Sequence, residues 1–184
     1  RGQIVGLLGP SGSGKSTLAQ TIGQRKHIPV LHLDQVHWLP GWVERKGIEE
    51  ERIVTEFLDR NSSWVIDGNY TAYLQEQRLK QADHIVFMNF SRIKCFVRAY
   101  KRYFKYHNTS RDSMAEGCKE KMDPEFIWGI LYKGRTKQKR QHYNKIIKQY
   151  KDKTTVLKSQ KQLSLFMKEL FDTTSEKDAL CRNT

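Results

Sequence analysis

The sequence predicts an α/β fold in which a five-stranded parallel sheet is flanked by helices, and three observations carry that prediction. Short β-rich apolar runs at residues 4–8, 30–33, 64–66, 85–90 and 155–157 alternate with stretches whose apolar residues recur at helical spacing, the pattern of strand-helix-strand units with parallel strands. A glycine-rich segment lies directly between the first apolar run and the first helical stretch. The length, 184 residues with 38% hydrophobic and 29% charged side chains, suits one compact domain and leaves little chain for a second.

The elements follow in order. After the strand at 4–8 and its glycine-rich loop, helical spacing covers 15–24, then 48–60, 72–80, 92–106 and 124–150, and finally 160–171. Asp123-Pro124 reads as an N-cap followed by proline at the first helical position, where its missing N–H costs nothing. Between 107 and 122 the periodicity breaks into a polar stretch too long for an ordinary connection, which marks it as a lid. The domain is therefore read as residues 1–171, with 172–184 as a flexible tail.

Composition narrows the function classes. With a mean hydropathy of −0.72 there is no apolar run near the roughly 20 residues of a membrane span, so no membrane partner is expected. The apolar stretch at 4–8 is too short for a signal peptide, and a cytoplasmic location is the expectation. The three cysteines, Cys95, Cys118 and Cys181, show no CxxC spacing and read as reduced thiols. Of the net charge of +13, residues 92–150 supply +11, with 16 basic and 5 acidic side chains. Such a field attracts polyanions, whether nucleotide or nucleic acid.

The glycine-rich segment Gly9-Pro10-Ser11-Gly12-Ser13-Gly14-Lys15-Ser16-Thr17 matches G-x-x-x-x-G-K-[ST]. Its glycines let the backbone wrap an anion so that N–H groups and a helix N-terminus face the phosphates of ATP. Lys15 is expected to bridge the β- and γ-phosphates, Ser16 to ligate Mg²⁺, and Thr17 to contact the α-phosphate or cap the helix. A P-loop NTPase fold follows. In such open parallel sheets, ligands bind beyond the carboxyl ends of strands, which directs attention to Asp34 and Asp67. Asp34 is read as orienting an acceptor hydroxyl or holding Mg²⁺ through water, and Asp67, at the end of Trp64-Val65-Ile66, as a Walker B type carboxylate for Mg²⁺.

Trp38 and Trp42 bracket Pro40-Gly41 and form an aromatic wall that either stacks a planar acceptor or covers the core edge, and His37 shares that neighbourhood. Arg98 and Arg102 lie four apart on one helix face just before the lid, positioned to clamp the γ-phosphate; Arg92, Arg111, Arg135 and Arg140 are further candidates. Aromatic residues interleave this basic run, a composition that also fits single-stranded nucleic acid.

The phosphate loop, the block from His32-Leu33-Asp34 through Trp38-Leu39-Pro40-Gly41-Trp42, Asp67-Gly68-Asn69-Tyr70 and Ala115-Glu116-Gly117-Cys118 together resemble the bacterial DNA topology modulation protein family, over roughly residues 3–170. That resemblance implies an adenylate-kinase-like fold with a lid insertion and a nucleoside- or nucleotide-kinase-like activity. In similar adenylate kinases an Arg-x-x-x-Arg pair contacts ATP, and Arg98 and Arg102 match its spacing. Where those enzymes follow Asp-Gly with Phe-Pro-Arg, this chain has Asn69-Tyr70-Thr71, which argues against a nucleoside monophosphate acceptor. Asp34 sits where similar sugar and nucleoside kinases keep an acceptor-activating carboxylate.

Two readings follow. The first is an ATP/Mg²⁺-dependent kinase for a small-molecule acceptor. The second is a nucleotide-binding protein that engages DNA through its basic segment.

Overall fold

The computed structural model describes residues 4–106, 112–120 and 122–181, the last nine as backbone. Among the described residues, seven strands and eight α-helices run in the order β1 (Ile4–Leu8), α1 (Lys15–Lys26), β2 (Val30–His32), α2 (Leu33–His37), β3 (Trp38–Leu39), β4 (Val43–Glu44), α3 (Gly47–Arg60), β5 (Trp64–Asp67), α4 (Gln75–Gln81), β6 (His84–Met88), α5 (Arg92–Lys105), α6 (Pro124–Leu131), α7 (Lys137–Gln149), β7 (Thr154–Leu157) and α8 (Gln160–Cys181). Five strands form one parallel sheet in the order β2-β5-β1-β6-β7, while β3 and β4 make a separate antiparallel hairpin.

The sheet is buried on both faces, as parallel sheets must be. Alternate residues sort into two cores: Val5, Leu7, Val65, Val86 and Met88 pack with α1, α5, α6 and α8, and Leu8, Trp64, Ile66, Ile85 and Phe87 pack with α3, α4 and α7. Parallel pairing brings Leu7 beside Asp67 and His32 beside the same Asp67. The carboxyl ends of β1, β2 and β5 therefore converge, and the site is built there.

Helix starts follow their caps. Ser91 accepts from Lys94 N–H, Asp123 from Phe126 N–H at 2.8 Å ahead of Pro124, and Thr136 from Lys139 N–H. The long helix expected over 124–150 is broken instead, with a 3-10 turn at Lys133–Arg135 between α6 and α7. Gly134 and the Thr136 cap make that break, since a new N-cap ends one helix and begins another. The second strand also stops early, at His32, so Asp34 lies in the first turn of α2 rather than at a strand end. At the carboxyl end, α8 continues to Cys181 instead of stopping at 171. Of the expected lid, residues 107–111 (Arg111 among them) and 121 fall outside the described residues.

Candidate functional site

The phosphate loop joins β1 to α1 and is pressed against its neighbours. Gly12 has φ +77, and a Cβ there would lie 2.3 Å from the carbonyl oxygen of Cys95 on α5. Gly9 has φ +143, and its Cβ would meet Met88 O at 2.6 Å. Only glycine fits either position, because left-handed backbone and backbone-to-backbone approach coincide. Gly14, also left-handed, hands the chain into α1 at Lys15. The Lys15 Nζ donates to Pro10 O at 3.2 Å, which curls the ammonium back over the loop. Asn69 holds the other edge, its side-chain carbonyl accepting from Gly9 N–H at 2.9 Å and its amide donating to Gly9 O.

Ser16 and Asp67 meet as the motif anticipates: the Ser16 hydroxyl donates to Asp67 Oδ2 at 2.7 Å. The His32 Nδ1 lies 3.0 Å from that same oxygen. Asp67 is 4% exposed, and its Oδ1 is buried with no hydrogen-bond partner. Burial pushes this carboxyl up, but the His32 and Ser16 hydrogen bonds and the Lys15 ammonium together pull it down, and the net shift is below its ordinary 3.8. An ionised carboxylate with one open oxygen beside a serine hydroxyl fits a hard divalent cation such as Mg²⁺. Among the described residues no group of three His, Cys, Asp or Glu side chains gathers, so phosphate oxygens and water have to complete any such ion's shell.

Asp34 faces the loop from α2. Tyr70, on the turn after β5, donates its hydroxyl to Asp34 Oδ1 at 2.8 Å, and burial together with the Asp34 charge pushes the phenol far up, so it stays a donor. Arg78, buried, fixes that turn by donating to Tyr73 O at 2.6 Å and Tyr70 O at 2.7 Å. His37 is engaged by Glu50 Oε1 at 2.8 Å and the Tyr73 hydroxyl at 2.7 Å, which makes it part of the packing behind the pocket.

Lys15, Asp34, Arg98 and Arg102 line one cleft of about 1160 Å³. Arg98 lies over the Phe90 ring and donates to Ser13 O at 2.7 Å and Gln160 Oε1 at 2.8 Å, tying the loop to α5 and α8. Arg102 is paired with Glu120 of the lid at 3.1 Å. Of the other arginines, Arg135 binds Phe90 O and Asn89 Oδ1 at the end of β6, Arg92 covers Tyr132, and Arg140 is exposed. Pro10, Ser11, Ser13 and Thr17 sit in or beside the loop as the motif requires, with Ser11, Ser13 and Thr17 lining the cleft.

The segment expected to form a lid is tied down where it is described. The Gln35 amide donates to Asp112 O and Met114 O, Trp42 Nε1 to Lys119 O at 3.1 Å, and Cys118 Sγ to Leu39 O at 3.3 Å. Sequence reasoning gave no role to His32, Gln35, Asn69, Tyr70 or Gln160. The blocks from His32 to Trp42 and from Asp67 to Tyr70 contained four of them without saying what each does.

Comparison with known proteins agrees with the fold. The family described as ABC transporter has a model that matches residues 1–171. "Uncharacterized protein YqaC" of Bacillus subtilis (strain 168) is 26% identical over 132 residues, 70% of this chain and 71% of that protein. A deoxyadenosine kinase from M. mycoides with dCMP and a flexible dCDP bound superposes with a TM-score of 0.53 at 16% identity, covering 93% of this chain and all (100%) of that one. The same kinase with bound dCTP gives 0.50 at 15% identity, covering 91% and 98%. The shared feature is the P-loop α/β fold with its five-stranded parallel sheet.

Proposed function

The chain belongs to the ABC transporter family, and from its P-loop fold we propose that it is an ATP- and Mg²⁺-dependent phosphotransferase that passes the γ-phosphoryl group to a hydroxyl of a small-molecule acceptor. One observation carries the reading: Asp34, oriented by Tyr70, shares a cleft with Lys15, Arg98 and Arg102. Transfer to an alcohol needs a group that can take the hydroxyl proton, and Asp34, held by Tyr70 in the same cleft as Lys15, supplies one.

In this reading the loop amides and Lys15 hold the triphosphate, and Arg98 and Arg102 offset charge on the transferring group. Ser16 and Asp67 would hold Mg²⁺, which when bound neutralises charge on the β- and γ-oxygens. Asp34 Oδ2 takes the acceptor's proton as the acceptor oxygen bonds to the γ-phosphorus and the bond to the β-oxygen breaks, releasing ADP. The lid excludes water, a competing acceptor. Kinship with the DNA topology modulation proteins belongs to the same proposal; it is supported by Asn69, Tyr70, Trp42 and Cys118, residues of the blocks that carry the resemblance, all engaged in building this cleft.

The test is transfer of labelled γ-phosphate to a panel of nucleosides, nucleotides and small hydroxyl compounds, with Lys15→Ala and Asp34→Asn beside the parent. Transfer lost in both variants supports the reading; hydrolysis alone, unaffected by Asp34→Asn, sinks it. The second reading, DNA binding, is favoured by exposed Tyr100 and Phe104 beside Lys101 and Lys105 on α5 and by exposed Lys137, Lys139 and Arg140 on α7. It requires DNA affinity that falls steeply with salt and with charge reversal on 133–140.

A further inference from the structure

The lining of the large cleft is partly sorted by charge, with Asp172 of α8 standing among the basic side chains. Among the described residues, every lysine and arginine that lines it sits on α1, α5 or α8. The acceptor end, built by α2, the β3–β4 hairpin, the turn after β5 and the lid, contributes Asp34, Trp38, Trp42, Tyr70, Asp112 and Met114. Arg102, whose lid partner Glu120 adjoins the Lys119 carbonyl held by Trp42, already has a carboxylate at 3.1 Å. The two tryptophan rings stand 5.3 Å apart at 70°, forming a corner rather than a flat stack. Ring faces carry negative quadrupole density, and Asp34 and Asp112 line the same cleft.

We propose that the acceptor is a cationic hydroxyl compound, an amino alcohol or amino sugar, whose ammonium group sits in the Trp38, Trp42 and Tyr70 corner while its hydroxyl meets Asp34. The proposal rests on the phosphotransferase reading and names that enzyme's substrate class. An anionic acceptor would meet Asp34 and Asp112 there, the cations of the cleft lying on α1, α5 and α8. A neutral planar one would use the rings but bring no positive charge to either carboxylate. A cation satisfies both, and its charge keeps it out of the basic phosphate end. The transfer itself is unchanged: the acceptor oxygen bonds to the γ-phosphorus, ADP departs, and Asp34 takes the hydroxyl proton, not an ammonium proton.

The test is tryptophan-fluorescence titration of the full chain with a non-hydrolysable ATP analogue and Mg²⁺, using cation and neutral pairs of matched shape: choline against 3,3-dimethylbutan-1-ol, ethanolamine against propan-1-ol, and glucosamine against glucose. At least one cation is expected to bind about tenfold or more tightly than its neutral partner. Asp112→Asn should narrow that gap while leaving the neutral partner unchanged, and Trp42→Leu should weaken both partners but the cation more; Asp112 is exposed, so its variant keeps the fold. Equal affinity within all three pairs overturns the proposal, as does tighter binding of AMP or glycerate. Phosphate transfer to a neutral or anionic acceptor would overturn it while leaving the kinase reading intact. Charge-selective binding with no transfer to any acceptor would overturn the kinase reading and leave the cation site.

Discussion

Asn69 and Gly9 grip each other through both backbone groups of the glycine, the side-chain carbonyl accepting from Gly9 N–H at 2.9 Å and the side-chain amide donating to Gly9 O. The first residue of the phosphate loop is thereby bolted to the turn that follows Asp67. Replacement by alanine removes both bonds and leaves two partly buried backbone groups without a protein partner, a loss of about 1–3 kcal/mol. Asn69→Ala should lower the thermal midpoint and weaken ATP binding together. Asn69→Asp should also weaken both, since it sets a carboxylate oxygen against the Gly9 carbonyl oxygen in place of a donor. Differential scanning fluorimetry with and without ATP reads both effects.

Tyr70→Phe deletes one oxygen and the hydrogen bond that orients Asp34. Hydrogen bonds to a charged group contribute about 1.5–3 kcal/mol, so the turnover rate should fall on the order of 10- to 100-fold. ATP binding should hold steady, because Tyr70 does not touch the loop's phosphate face. A variant whose ATP affinity collapsed along with its rate would place Tyr70 in nucleotide binding instead.

Gly12→Ala forces a Cβ to within 2.3 Å of the Cys95 carbonyl at a left-handed φ. Neither the loop nor α5 can yield without disturbing the Arg98 contact to Ser13 O. Loss of nucleotide binding is expected, with a lowered melting temperature. Gly41→Ala is the control: φ +78 strains it, but nothing lies within 4 Å of the added carbon, and nucleotide binding should survive.

Asp67 gives the chain a signature at acid pH. Its carboxyl is held below the ordinary 3.8 in the folded protein, so the stability it supplies is complete above the unfolded value and is lost as pH falls through the folded one. Urea midpoints between about pH 6 and pH 2 should therefore decline more steeply for the parent than for Asp67→Asn. Parallel curves would show that the carboxylate is not stabilised as its partners imply.

Much of this was legible in the sequence because it is local. The phosphate loop needs nine consecutive residues, and the apolar runs at 4–8, 64–66 and 85–90 each mark a strand. Ser16 and Asp67 were each visible from motif and position, although their bond spans 51 residues. His32 was not, since nothing near it in sequence says that β2 pairs beside β5. Asp34 looked like the end of a strand because Val30-Leu31-His32-Leu33 is continuously apolar or aromatic; the turn into α2 is decided by packing of Leu33 and Val36 in the core. The lid read as a long polar insertion because its anchors, Gln35 to Asp112 and Trp42 to Lys119, each join residues 77 apart. The arginine pair was visible as a spacing, but that one member serves the loop and the other the lid depends on Ser13 and Glu120, which no periodicity connects to them.

The latch between the hairpin and the lid has a consequence for how the molecule is made. Asp34, Trp38 and Trp42 leave the ribosome long before the residues that cover them, the Cys118 thiol and the Lys119 carbonyl, have been translated. Contacts so distant along the chain form late, after loop closure has been overcome. The phosphate loop can take shape when β5 and β6 arrive, whereas the acceptor end must wait with two tryptophans uncovered. A nascent chain stalled once α5 has emerged but before residues 118 and 119 have would thus hold its phosphate loop against Cys95 and Arg98 while both tryptophans stay uncovered.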